Sequence, residues 1–402
     1  MDLYYPRRLA ASVYSDFYRS ELPRAIKHRP FCELSAFNLR TIVTPAPTMP
    51  AIPALATVLV TGTNGFIGQW VVLALLAHGY TVHGAFRTPN KLTLFSDLVA
   101  RKMPEAIDRF KGFVVPEITA SGAFAKAIEG VDGVIHLASP TSPALDDPRA
   151  AIEPAVKGTL SILESALGTP SVKRIVLASS ISAIASGSIC APRAYTEEDW
   201  NDQAVQITEQ KGRDAPGLIK YEASKTLAER AAWDFMKKHR EEIHFDLCVV
   251  NPSLVFGPLV DDTLPSPAAL PVTPAMVYNA LFARPRPAER TPPCFNCVDV
   301  RDVTEILTKS LEAPEAGGQR IIANAQVCTW EDWLRANERL GLLSGLDRVS
   351  PEDASKPCPP HPFFVNDKSK QMFGITYRGI EETLKGTIVD WESRGWLKHL
   401  DA

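Results

Sequence analysis

Thr57-Val58-Leu59-Val60-Thr61-Gly62-Thr63-Asn64-Gly65-Phe66-Ile67-Gly68 is the stretch on which the fold turns. Its apolar, β-rich start runs into three glycines spaced by three, and then into Trp70-Val71-Val72-Leu73-Ala74-Leu75-Leu76. That is a buried strand, a tight turn and an amphipathic helix, in the order a dinucleotide site requires. Gly62 lets the chain turn off the strand, Gly65 lets backbone approach a pyrophosphate, and Gly68 lets the helix pack close to the sheet. The helix N-terminus adds free N–H groups and a positive dipole for the phosphates. A plain glycine-rich βα turn is the bland alternative, and the flanking strand and helix weigh against it.

Outward from this motif, strands and helices alternate. Tyr80–Phe86 and Lys111–Val115 read as strands, followed by Gly133–Ala138, a helical stretch near 150–167, and a fifth strand at Arg174–Ala178. Repeated βα units of this length predict an α/β fold, a Rossmann-type doubly wound parallel sheet covered on both faces. His136 lies inside an apolar strand and reads as a packed, hydrogen-bonded residue rather than a ligand. Beyond residue 257 the character changes, with Pro258, Pro265, Pro267, Pro271 and Pro274 excluding one regular element. A strand and helix around 295–313, a strand at Arg320–Ala323, and helices at Trp330–Leu340 and from Glu381 to Gly395 follow. The division is therefore residues 57–256 as the cofactor-binding domain and 257–402 as a smaller C-terminal substrate-binding lobe, some elements of which return to the sheet. The lobe is expected over the carboxyl ends of the strands, where ligands bind in open α/β sheets.

The second strand ends where a cofactor-discriminating residue belongs, about 20 residues beyond the glycines. An NAD site places a carboxylate there, but this chain has Arg87, followed by Lys91. Guanidinium and ammonium groups suit a 2′-phosphate, which a carboxylate repels. The residues thus point to NADPH.

The net charge of −3 excludes a nucleic-acid partner held by phosphate neutralisation. No apolar run reaches the ~18 residues a membrane span needs. The seven cysteines are scattered and fit reduced thiols in a cytoplasmic protein. Cys294 and Cys297 form a Cys-x-x-Cys pair without the second pair or nearby histidine that zinc requires. Residues 1–56 are expected to be a disordered extension. Within them, residues 1–48 carry Arg7, Arg8, Arg19, Arg24, Arg29 and Arg40, but Asp2, Asp16, Glu21 and Glu33 argue against a transit peptide. Met49 stands just ahead of the first strand as a natural start.

Tyr221-Glu222-Ala223-Ser224-Lys225 opens a helix on which Tyr221 and Lys225, four apart, share a face. A phenol with a pKa of about 10 is a poor acid at neutral pH. A neighbouring ammonium favours the phenolate and lets Tyr221 exchange a proton with a carbonyl or alcohol oxygen. A hydroxyl that binds the substrate oxygen should complete the set. Ser179 and Ser180 both stand at the end of the fifth strand, and position alone does not choose between them.

The glycine spacing resembles that of the extended short-chain dehydrogenase/reductase family. The resemblance sharpens with Arg174-Ile175-Val176-Leu177-Ala178-Ser179-Ser180, Lys220-Tyr221-Glu222-Ala223-Ser224-Lys225-Thr226-Leu227-Ala228-Glu229-Arg230, Asn251-Pro252-Ser253-Leu254-Val255-Phe256-Gly257-Pro258 and Val298-Asp299-Val300-Arg301-Asp302-Val303. These are similar to the dihydroflavonol 4-reductase-like branch, which holds fungal NADPH-dependent aldehyde, ketone and methylglyoxal reductases. The match covers roughly 57–400. It implies Ser180, Tyr221 and Lys225 as the catalytic triad and Gly62, Gly65, Phe66, Ile67 and Gly68 as the pyrophosphate loop. It implies Arg87 and Lys91 at the 2′-phosphate, and Glu117 and Ile118 beside the adenine, where the family usually has Asp-Leu. Ala138, Ser139 and Pro140 match the segment over the cofactor, and Pro252, Ser253 and Val255 the one beside the nicotinamide.

The activity so implied is NADPH-dependent reduction of a ketone or aldehyde, of the kind found in specialised metabolism, on a small-molecule carbonyl substrate. An oxidising enzyme of the 3β-hydroxysteroid dehydrogenase type is the near rival. An NADP-sensing regulator without turnover is the rival from another class, but such proteins usually lose the Tyr-x-x-x-Lys pair. The Asn-Trp-Tyr-Cys-Tyr run of cinnamoyl-CoA reductases is replaced by Gly217-Leu218-Ile219-Lys220. Neither the oligomeric state nor the substrate follows from the sequence. The substrate depends on the irregular segments 182–219 and 257–293, and Met276, Tyr278, Phe282 and Phe295 read as core before pocket.

Overall fold

The computed structural model describes residues 52–139, 146–187, 190–282, 294–344, 346 and 360–397. In chain order its strands are β1 (Thr57–Thr61), β2 (Thr81–Phe86), β3 (Phe110–Val114), β4 (Gly133–His136), β5 (Arg174–Ala178) and β6 (Ala194–Tyr195). They continue as β7 (Asp246–Pro252), β8 (Leu254–Phe256), β9 (Phe295–Asp299), β10 (Arg320–Ala323), β11 (Gln326–Cys328) and β12 (Phe363–Phe364). The helices are α1 (Phe66–Ala77), α2 (Pro89–Lys102), α3 (Arg149–Leu167), α4 (Asp202–Lys211) and α5 (Gly217–Lys238). After these come α6 (Val272–Phe282), α7 (Val300–Glu312), α8 (Trp330–Leu340), α9 (Asp367–Phe373) and α10 (Ile380–Ser393).

Seven strands form one parallel sheet in the order β10-β7-β5-β4-β1-β2-β3. The winding starts at β1, runs outward through β2 and β3, then returns to β4 on the other side of β1. That reversal opens a crevice beyond the carboxyl ends of β1 and β4. Side chains on β1 alternate between the two faces, as a strand's period of two dictates. Val58 and Val60 join Val71, Val72, Leu75 and Leu76 of α1, with Phe95 and Leu98 of α2 and Ile306 and Leu307 of α7. Leu59 points the other way, into a core with Ile162 and Leu163 of α3 and Ala232 and Phe235 of α5. Each large aliphatic side chain so buried contributes roughly 1.5–3 kcal/mol.

A third core lies beneath the small three-stranded sheet β11-β9-β8 and gathers α6, α8 and α10. Trp333 and Trp391 are fully buried there, and Trp333 meets the Phe256 ring edge-on at 5.2 Å. Tyr278 and Phe282 pack on Trp391, and Phe295 on Trp330 at 4.5 Å. These aromatic residues are core, as their spacing suggests. Strand β10 leaves this part of the chain and pairs with β7 in the main sheet.

The structure refines the sequence reading at three places. Helix α5 starts at Gly217, four residues before Tyr221, because Pro216 is held extended just ahead of it. The polar stretch at Gln203–Lys211 is helical because Asn201 accepts a hydrogen bond from the Ala204 amide and Ala204, Val205 and Thr208 turn inward. Reduced thiols hold for Cys190, Cys248, Cys297 and Cys328. Cys294 departs from that expectation, being disulfide-bonded. The described residues contain no cluster of metal-ligating side chains and no helix long and apolar enough to cross a membrane.

Candidate active site

The crevice has a backbone end and a side-chain end. At the first, β1 passes into Gly62 at φ +69°, a conformation that suits glycine. A Cβ on Gly62 would stand 2.9 Å from the Ala138 amide nitrogen, and one on Gly65 3.1 Å from the Gly62 carbonyl oxygen. A Cβ on Gly68 would run into that same carbonyl. The loop is thus folded tightly on itself and on the end of β4. No side chain caps α1 and no acidic residue enters its first turn, so its outward amides at Phe66 and Ile67 suit an anion.

Arg87 and Lys91 are exposed at the carboxyl end of β2 and in the first turn of α2. A cation in the first turn of a helix opposes the dipole, and a bound anion offsets that cost. Glu117 is exposed and accepts hydrogen bonds from the amide and hydroxyl of Thr119, at 3.0 and 2.7 Å. Those bonds hold its carboxyl below the usual range. Ile118 is half-buried against α3 at Gly158, where a Cβ would approach it to 2.9 Å. Pro140 lies outside the described residues; Ala138 and Ser139 end β4 at the crevice.

At the other end stand Ser180, Tyr221 and Lys225. The structure separates the two serines that position could not. Ser179 donates its hydroxyl to buried Glu229 at 2.5 Å, whereas Ser180 is half-buried and caps the short turn Ile181–Ala183, accepting from the Ser182 amide at 3.1 Å. The Ser180 proton remains available to a ligand. Lys225 is buried, donates to the Ser139 hydroxyl at 3.0 Å, and lies 5.8 Å from the centre of the Tyr221 ring. Burial pulls its pKa down to about 8, and the Glu229 carboxylate opposes that fall. His136 is packed as expected. Its Nδ1 meets the Thr61 hydroxyl at 2.9 Å, and burial, with Lys225 second, lowers its pKa to about 3. That imidazole is therefore neutral at physiological pH.

Pro252, Ser253 and Val255 are buried where β7 passes into β8, with the Ser253 amide donating to the Ala323 carbonyl at 3.0 Å. Just before them, Asn251 donates one amide group to both the Ser180 carbonyl oxygen, at 3.1 Å, and Glu229, at 2.8 Å. Glu229, Asn251 and Arg320 are site residues that the sequence reading passed over. Two had a signal: a carboxylate eight residues beyond Tyr221 on one helix face, and an amide directly after the apolar run Cys248-Val249-Val250. Arg320, 91 residues from Glu229, had none.

Known proteins resemble this chain along most of its length. The profile of the NAD dependent epimerase/dehydratase family matches residues 58–325. A cinnamoyl-CoA reductase of Medicago truncatula is 33% identical over 333 residues, covering 82% of this chain and 94% of that one. The NADPH-dependent methylglyoxal reductase of Saccharomyces cerevisiae is 31% identical over 355 residues, covering 84% and 99%. The crystal structure of Gre2 from Candida albicans in complex with NADPH superposes with a TM-score of 0.74 at 29% identity, over 84% of this chain and 99% of that one.

Proposed function

We propose a carbonyl reductase: the chain belongs to the NAD dependent epimerase/dehydratase family, and its site is suited to passing a hydride from NADPH to an aldehyde or ketone. The observation that carries this reading is a junction of two adjacent residues. Ala138 packs on the turn at Gly62, and Ser139 accepts from Lys225. A pyrophosphate loop and a lysine one helical turn from a tyrosine therefore meet at the end of β4. Ordinary i,i+4 surface pairs have no reason to be buried there.

When bound, NADPH supplies the hydride and, once oxidised, a positive ring near the site. The remaining work falls to side chains of this protein. Gly62, Gly65, Phe66, Ile67 and Gly68 hold the pyrophosphate, Arg87 and Lys91 the 2′-phosphate, and Glu117 and Ile118 flank the adenine. Ala138 and Ser139, with Pro252, Ser253 and Val255, bound the nicotinamide end. Ser180 donates a hydrogen bond to the substrate carbonyl and polarises it. Tyr221 gives its phenolic proton to the oxygen as the carbon is reduced. The Lys225 ammonium favours the phenolate that results and so strengthens Tyr221 as an acid. Ser139 accepts a hydrogen bond from that ammonium at 3.0 Å. Substrate selection is assigned to residues 182–219 and to the lobe 257–402.

An aldehyde or ketone is favoured over a coenzyme A thioester because Gly217-Leu218-Ile219-Lys220 stands where the thioester reductases carry their aromatic run. The test uses NADPH carrying deuterium at the transferable position of the nicotinamide, with simple aldehydes and ketones. One deuterium on the carbinol carbon of the product is expected. NADPH binding with no labelled alcohol from any substrate would favour the sensing role instead.

A further inference from the structure

One buried carboxylate on α5 stands outside the groups given roles above. Glu229 follows Lys225 by four residues, as Lys225 follows Tyr221, so the three lie along one face of the helix. It is 1% exposed. A carboxylate so far from water persists when partners satisfy it. Arg320 of β10 donates Nε to its Oε1 at 2.5 Å, while Ser179 and Asn251 donate to Oε2 at 2.5 and 2.8 Å. Arg320 lies 3.9 Å from the centre of the Trp200 ring and donates to the carbonyls of Glu197 and Asp199 at 2.5 and 2.7 Å. The cluster thus joins α5, the ends of β5 and β7, β10 and the segment leading into α4.

Stability alone is a poor reason for such a cluster, since buried ion pairs are often replaced by apolar residues without loss. Its placement gives a better one. Ser179 and Asn251 grip Ser180 from both sides, one through the chain and the other through the Ser180 carbonyl oxygen. The charged and titratable groups facing Lys225 are Glu229 and Tyr221 on its own helix and His136 on β4. His136 is neutral, so among the described residues Glu229 is the anion that acts on the lysine. We propose that Glu229, fixed by Arg320, is a positioning residue of the reduction: its charge keeps Lys225 protonated in a buried site, and its hydrogen bonds fix the strand end that presents Ser180. This rests on the reductase reading for the roles of Lys225 and Ser180.

The test is Glu229→Gln, which keeps the shape and removes the charge. Turnover with NADPH should fall roughly 10- to 100-fold while KM for the carbonyl stays within about threefold, as for an interaction made in the transition state. The alkaline limb of kcat should move to lower pH by about one unit, because losing a neighbouring anion lowers an ammonium pKa. A purely structural role lowers the folded fraction and leaves that limb in place. Should Glu229→Gln fail to fold with Arg320 unpaired, Glu229→Gln combined with Arg320→Met removes the orphan cation and should show the same limb shift. NMR titration of ¹⁵N-labelled lysine side chains, with Lys225→Arg to assign the resonance, reads the Lys225 pKa without turnover. If wild-type protein reduces no aldehyde or ketone, the reductase reading fails, and the titration still decides the charge coupling. A Lys225 resonance or kcat limb that titrates alike in wild type and variant overturns the proposal.

Discussion

The two ends of the crevice are made of different material. At the phosphate end the working parts are backbone amides and missing side chains, with Gly62 folded against the end of β4, Gly65 and Gly68 against the Gly62 carbonyl, and exposed cations at Arg87 and Lys91. At the hydride end they are buried ionisable side chains: Lys225 tied to Ser139, His136 to Thr61, and Glu229 to a strand 91 residues away. The contrast follows from the chemistry. A phosphate is a fixed anion, and surface amides and cations hold it well. Proton transfer needs pKa values moved from their ordinary places, and burial with a chosen neighbour does that.

Substitutions at each end should therefore fail in different ways. The largest effect is expected from Tyr221→Phe, which removes the proton donor and little else. Turnover should drop about 10²- to 10⁴-fold, with NADPH affinity, measured by nicotinamide fluorescence, nearly unchanged. A matching loss of NADPH binding would mean that the two ends are not separable. Next, Arg87→Ser should weaken NADPH binding roughly 10- to 100-fold, the worth of a charged hydrogen bond. NADH binding should hardly change, and equal losses for both cofactors would place Arg87 outside the 2′-phosphate site.

Gly68→Ala tests the space rather than the charge. The added methyl meets backbone carbonyls that have nowhere to move, so stability should fall by about 1–3 kcal/mol in urea titration. An unchanged midpoint would show that the loop relaxes. At neutral pH the smallest effect belongs to His136. Its pKa is about 3 when folded against 6.5 as a free group, so the unfolded chain takes up the extra proton. Stability from this residue is complete above pH 6.5 and is lost as pH falls towards 3, at up to about 1.4 kcal/mol per pH unit. His136→Gln should flatten the decline between pH 6.5 and 5, and an unaltered slope would assign the acid sensitivity elsewhere.

The same contrast decides what the sequence could reveal. The phosphate end is local: strand, three glycines, helix and the basic residues after β2 lie within some 35 residues, each forced by a backbone or charge requirement. Strands of the sheet were equally legible as apolar runs such as Arg174–Ala178. At the hydride end Tyr221 and Lys225 were legible from their spacing, but the choice of Ser180 came from resemblance. Its physical basis, the commitment of Ser179 to Glu229, required the folded chain. Arg320 was invisible because nothing local marks an arginine as the partner of a carboxylate on another element. The helix at Gln203–Lys211 was too polar to assign a role, because its inward face is a narrow set of small and β-branched residues amid polar ones.

The central claim is that these two ends serve one reaction. It is tested most directly by following loss of nicotinamide absorbance with NADPH and with NADH, against a panel of aldehydes, α-diketones, β-keto esters and aryl ketones. The account predicts turnover of at least one carbonyl class, far faster with NADPH than with NADH. NADH used as well as NADPH would contradict the phosphate end, and NADPH binding without turnover of any carbonyl would contradict the hydride end.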